Sequence, residues 1–152
     1  MSDVVKSIFE ELEARFGALS GFTVYNGRVI DPSNGDKVPS IGYFFNDGDL
    51  GEADLTLVKE ADSNQRRSSA DQRLLHLAVE AVDKLTDPKS PMVELEDLHQ
   101  QIIDVLIKPG ARFGGKAIAE PLIRKRRAYV IDPVADIGKV ELQVEIPYTQ
   151  RY

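Results

Sequence analysis

Residues Lys139-Val-Glu-Leu-Gln-Val-Glu-Ile-Pro-Tyr148 constrain the fold of this chain more than any other stretch. Val140, Leu142, Val144 and Ile146 alternate with Glu141, Gln143 and Glu145, the two-residue period of a strand with one buried and one wet face. Pro147 has no amide proton to give a ladder, so the strand is expected to end beside it. Such a strand needs a sheet to join, and the rest of the chain is read for that sheet and its cover.

At 152 residues the chain fits one domain over 1–152, with enough length for an ordinary core. Its balance of 42% hydrophobic and 29% charged residues argues against wholesale disorder. No apolar run reaches membrane-spanning length, and Met1 to Lys6 lacks the pattern of a secretory leader, so no membrane role is expected. With no cysteine, disulfides and thiolate chemistry drop out. The net charge of −6 is unevenly placed: residues 1–65 hold five basic against twelve acidic side chains, and the remainder fourteen against thirteen. A chain of this sign is poorly suited to holding nucleic acid tightly.

Residues 2–19 read as an amphipathic helix. Val4, Val5, Ile8, Leu12, Phe16 and Leu19 recur at three- and four-residue spacing, with Lys6, Glu10, Glu13 and Arg15 placed opposite. Ser2 is the expected cap, and Ser20-Gly21 the stop. Two β-rich segments follow, Phe22–Ile30, broken by the turn pair Asn26-Gly27, and Val38–Phe45, with Pro39 marking a start at or beside an edge. Residues 46–69 are polar apart from Leu55, Leu57 and Val58, and are expected to form an extended loop or arm for partner contacts. Residues 70–85 are ambiguous. Leu74, Leu77, Ala78, Ala81, Val82 and Leu85 make a helical stripe, yet Leu75, Leu77, Val79 and Ala81 alternate as a strand would, and periodicity alone slightly favours helix.

Ser90-Pro91 opens a helix to about Ile107, with Val93 or Leu95, then Leu98, Ile102, Val105 and Leu106 turned inward. After a Gly-rich loop at Phe113-Gly-Gly115, residues 118–131 suggest a strand interrupted at Pro121. The turn chemistry of residues 132–138 then predicts a terminal antiparallel hairpin.

Each chemical motif in the chain is incomplete. Gly110-Ala-Arg-Phe-Gly-Gly-Lys116 resembles a phosphate-cradling loop but has Ala117 where a magnesium-binding Ser or Thr is needed, and a helix rather than a strand before it. Asp47, Asp49 and Glu52 miss the calcium-loop spacing. His76 and His99 are the only histidines, and a zinc site would need two carboxylates brought from elsewhere. No serine occupies a Gly-x-Ser-x-Gly elbow. No catalytic residue, cofactor or metal is therefore assigned, and the residues favour an interaction protein over an enzyme.

Candidate contact residues cluster in three places. Arg124-Lys-Arg-Arg127 is the sharpest charge feature: on a regular strand Arg124 and Arg126 share one face, and Lys125 and Arg127 the other. Four adjacent cations need acidic company, either Glu141 and Glu145 of the next strand or a surface on another subunit or DNA. Arg66 and Arg67 lie in the polar arm, and Tyr148, Arg151 and Tyr152 in the tail, which suits a protein contact.

Taken in order, these elements resemble the tail terminator (tail completion, minor tail protein U-like) proteins of tailed bacteriophages. The likeness runs through the first helix, Tyr25-Asn-Gly-Arg-Val-Ile30, Val38–Phe45 and the polar loop. It continues through Arg73-Leu-Leu-His-Leu-Ala-Val-Glu-Ala81, the helix around Leu95 to Leu106 and the closing hairpin. The resemblance implies an α+β fold, with a mainly antiparallel sheet of four to five strands packed against two helices. It also implies that the segment matching 72–81 is a strand, against the slight helical preference. A family member would be a virion protein of the tail or neck, assembled in the host cytoplasm. It would form a hexameric ring that caps the tail tube, ends its growth and meets the head-side connector while DNA passes unbound. The alternatives are a head-completion or neck connector protein and, in another class, a small nucleotide- or ligand-binding enzyme.

Overall fold

The computed structural model describes residues 3–45, 55–57, 70–87, 89–108, 112–115 and 117–151. The elements are α1 (Asp3–Gly17), β1 (Thr23–Asn26), a 3-10 turn (Pro32–Asn34), β2 (Ser40–Phe45), β3 (Leu55–Leu57), β4 (Ala70–Lys84), α2 (Pro91–Leu106), a single turn α3 (Arg112–Gly115), β5 (Leu122–Asp132) and β6 (Ile137–Arg151). The sheet order is β1-β2-β4-β6-β5, and β3 also pairs with β4. Every pairing is antiparallel except β1 with β2, so the fold is α+β with a mostly antiparallel sheet. β2 covers Leu77 to Val82 of β4 and β3 covers Arg73 to Leu75, so β3 resumes the line that β2 leaves. Of the expected arm at 46–69, only this short strand falls within the described residues.

β4 and β6 are the spine, paired from Ala70↔Arg151 to Lys84↔Ile137. The opening alternation holds: Val140, Leu142, Val144 and Ile146 are buried. The expected stop at Pro147 does not occur, and β6 runs on to Arg151. The Pro147 carbonyl accepts from the Ile118 amide at 2.8 Å, so its missing N–H falls on that same side, beyond the end of β5. There it breaks no regular ladder.

The ambiguous segment is a strand. Leu75, Leu77, Val79 and Ala81 are buried against the helices, while Glu80 and Val82 are buried on the opposite face. A strand covered on both faces loses its clean alternation, which is why 70–85 also reads as a helical stripe. The second cover is the crossover after β1. Asn26-Gly27 ends β1 without turning a hairpin, and the chain returns as the parallel strand β2. Ile30 of the crossover is buried and lies over Gly42, where an added Cβ would come within 3.2 Å of its Cγ1.

α1 buries Val5, Ile8, Leu12 and Phe16, and α2 buries Leu95, Leu98, Ile102 and Leu106, on the face opposite that crossover. The Glu94 carboxylate accepts from the amides of Thr86 and Asp87, closing the loop into α2. The Thr86 hydroxyl also donates to it, and that bond first, with the amide bonds after it, holds its carboxyl below the ordinary range. α2 crosses β6 at Gly138, where a Cβ would stand 2.6 Å from Leu95 Cδ2 and 3.0 Å from Leu85 Cδ2. Gly138→Ala is therefore expected to lower stability by about 1–3 kcal/mol, read from the urea midpoint at constant slope.

Candidate interaction surface

β5 is an edge strand: among the described residues nothing pairs with its outer side. A bulge between Ile123 and Lys125 breaks the simple alternation. Arg124 and Arg126 consequently do not act on one face. Arg124 Nε bonds Glu145 Oε2 at 2.9 Å and Arg127 Nε lies 3.4 Å from Glu141 Oε2, both carboxylates being on the sheet face away from the helices. Arg126 turns to the helix side, with Nη1 3.0 Å from His99 Nδ1 and 3.6 Å from Glu96 Oε1. Lys125 makes no ion pair among the described residues. The acidic company expected from Glu141 and Glu145 is thus present within the chain. Even so, the arginine side chains remain about 58–63% exposed.

Behind this edge, the non-helical face carries a linked polar row. Glu80 and Glu141 are direct cross-strand partners, a like-charge pair that would repel. Lys139 Nζ resolves it, 2.8 Å from Glu80 Oε2 and 3.6 Å from Glu141 Oε1. Glu80 also accepts from the Ile30 amide at 2.5 Å, and Glu141 from the Tyr129 hydroxyl at 2.8 Å. Burial pulls the Lys139 ammonium down, but the Glu80 bond and the nearby carboxylates outweigh it and hold its pKa above the usual value. Phe44, Ala78, Lys125, Arg127 and Gln143 border an open groove of ≈ 230 Å³ over this row.

His99 is 3% exposed on α2. Arginine can only donate, so Nδ1 is the acceptor and the neutral ring carries its proton on Nε2. Burial first, and the Arg126 charge second, push its pKa below 6.5. A depressed folded value means that the unfolded chain binds the proton more readily. Stability is therefore complete above 6.5 and declines as pH falls from there through the folded value. Urea unfolding at pH 7.5 and 5.5 is expected to show this decline, with a smaller difference in His99→Gln.

The opposite end of α2 is held by an unexpected group. Arg15, placed by periodicity on the solvent side, is 3% exposed. Its Nη1 donates to the Leu106 carbonyl at 2.5 Å and to Glu120 Oε1 at 3.0 Å, and Nε donates to Glu11 Oε1 at 3.3 Å. Its guanidinium lies 4.0 Å from the centre of the buried Phe113 ring. Phe113 belongs to the Gly-rich stretch that resembles a phosphate loop. In the fold, the phenylalanine is a core plug under an arginine, and Lys116 lies outside the described residues.

Tyr148, expected as a contact residue, is fully buried. Because β6 continues past Pro147, the alternation carries Tyr148 to the helix face beside Ile146 and Val144. Arg151 lies at the last pair of β6 with its side chain outside the described residues, as are Arg66, Arg67 and Tyr152. His76 faces Glu145 at 3.8 Å on the non-helical face, and His99 is on the helix side, so the sheet separates the two histidines. Among the described residues no group of three or more His, Asp or Glu is placed to hold a metal ion. No helix among them is long and apolar enough to cross a membrane. The buried positions of Lys139, Glu80 and Arg15 escape sequence reasoning. Periodicity gives no signal of it, because all three sit where the local pattern assigns solvent.

No family model and no curated protein matches the chain. Among solved structures, the fold is shared with a chain in the virion of a native gene transfer agent (GTA) particle. The TM-score is 0.53 at 12% identity, over 99% of this chain and 100% of that one. At that identity the likeness is one of fold: an α+β chain built on the same plan, end to end, as a component of a virion.

Proposed function

We propose that this chain is a structural protein of a phage-like virion, acting as a tail terminator. Copies form a hexameric ring that caps the tail tube, ends its growth and offers a surface to the head-side connector. The observation that carries this reading is the fold likeness to a virion component over 99% of this chain. The order of elements in the sequence supports the same role from an independent direction. The interaction surface fits it too, since charged groups arranged along an edge suit subunit and tube contacts. A net charge of −6 favours a lumen through which DNA moves without adhering. Closure into a ring consumes head-to-tail surfaces that would otherwise extend into a filament.

The test is the native mass of the purified chain, alone and after mixing with tube protein. A six-fold assembly, formed alone or only on tubes, is the expected result, together with tubes of arrested length. A chain that stays monomeric and leaves tube length unchanged rules the reading out.

A further inference from the structure

A ring joins two different surfaces of the same chain, and the structure offers a pair with opposite charge on opposite sides. On one side, β5 buries none of its eleven residues fully, has an outer edge with no strand paired to it among the described residues and exposes Leu122 at 50%. Its arginines are partly compensated by Glu141, Glu145 and Glu96, while Lys125 has no ionic partner among the described residues. At the other end of the sheet lies β1, covered by α1. Of the outward residues of α1, Glu10 and Glu13 are exposed acids, with the exposed Lys6 one turn before Glu10; Glu13 also accepts from the Tyr43 hydroxyl, and Glu11 is paired with Arg15. Five strand lines at sheet spacing keep the two sides about 19 Å apart, so one copy cannot satisfy its own pair.

We infer that the basic β5 edge of one copy docks on the acidic α1 flank of the next, with Lys125 seeking Glu10. This rests on the ring reading above, and names the surfaces that close the ring. The occupant is a second copy because the complementary charges belong to the same chain and lie at opposite ends of its sheet. The contact is made by side chains and not by strand addition, because a bulged edge carrying four cations resists backbone pairing with another strand. Leu122 supplies apolar area at the rim of the same edge.

Two charge reversals on different elements test this, read by sedimentation of the full chain, with tubes present if assembly requires them. Lys125→Glu and Glu10→Lys, each confirmed as folded by circular dichroism, should each raise the concentration for half-assembly by about tenfold. An equimolar mixture should recover assembly to near the wild-type level. In a ring where the two variants alternate, every interface pairs opposite signs, either Lys125 with Glu10 or the two replaced residues with each other. Wild-type assembly should also weaken between 0.05 and about 0.5 M salt as the Debye length shrinks.

Normal assembly of folded Lys125→Glu overturns the inference, as does a mixture that fails to recover. Intact rings that have lost tube binding also overturn it, because the edge would then face the tube. A wild-type chain that never assembles defeats the ring reading itself. A wild-type ring indifferent to both reversals defeats only the assignment of its surfaces.

Discussion

Replacing Lys139 with methionine is expected to lower the unfolding free energy by about 3–5 kcal/mol, because it strands a buried carboxylate. Glu80 is 3% exposed, and its one cationic partner among the described residues is the ammonium 2.8 Å away. Its cross-strand neighbour Glu141 keeps Arg127 and the Tyr129 hydroxyl, but the cation that stood between the two carboxylates is gone. The thermal midpoint of a chain this size should fall by roughly 10 °C, at about 2–4 °C per kcal/mol. The double variant Glu80→Gln/Lys139→Met should be more stable than Lys139→Met alone. The glutamine carbonyl still accepts from the Ile30 amide, and no charge remains buried. A double-mutant cycle in urea isolates the pair. A Lys139→Met chain within about 0.5 kcal/mol of wild type would show that the row is solvated and not part of the core. Linkage gives the same pair a pH signature. The raised lysine pKa means its contribution is fully present below the ordinary value of 10.5 and is lost as pH rises through the folded one.

Arg15→Met should cost about 3 kcal/mol, since it removes a buried ion pair and a cation–π contact together. Arg15 joins α1, the last carbonyl of α2, Glu120 and Phe113 in one place. Loss of that junction should be local as well as global. Hydrogen exchange at Ile103 to Ile107 should accelerate before the sheet opens, because the Leu106 carbonyl loses its donor. Arg15→Lys should rescue little. A compact ammonium lacks the planar fork that serves Leu106, Glu120 and Glu11 together while lying on the Phe113 ring. Full rescue by lysine would reduce Arg15 to a simple point charge.

These two residues also mark where the sequence stops being legible. The alternation at 140–146 identified β6 and its buried face, and the stripe at Leu95, Leu98 and Ile102 identified α2 with its inward side. Both succeed because each element has one apolar face and one wet one. Residues 70–85 defeat the same logic, since Glu80, bonded by the crossover after β1, and Val82 are buried on the second face, which mixes the two periods. There the resemblance to a known element order, and not periodicity, pointed to the strand. Arg15 and Lys139 were invisible as core residues because a charge is a sound marker of solvent until its partners arrive from distant segments. Glu120 is 105 residues from Arg15, and Glu80 is 59 positions before Lys139.

The basic cluster was read in part. Its company in Glu141 and Glu145 followed from hairpin pairing, and the structure provides it. The face of each arginine did not follow, because one bulge between Ile123 and Lys125 resets the alternation for everything after it. Tyr148 was misread for a related reason: proline was taken as the end of pairing, whereas the strand passes through it where no ladder bond is required. A proline stops a strand only when its nitrogen faces a partner.

Copies of this chain, on the proposed function, close into a ring at the end of a tail tube. The most direct measurement is electron microscopy of purified tubes incubated with the chain, with averaging of the tube ends. Added density is expected at one end of each tube, six-fold about the tube axis, with tubes that no longer elongate when fresh tube protein is supplied. Bare ends, or density without rotational symmetry and tubes that continue to grow, would contradict it.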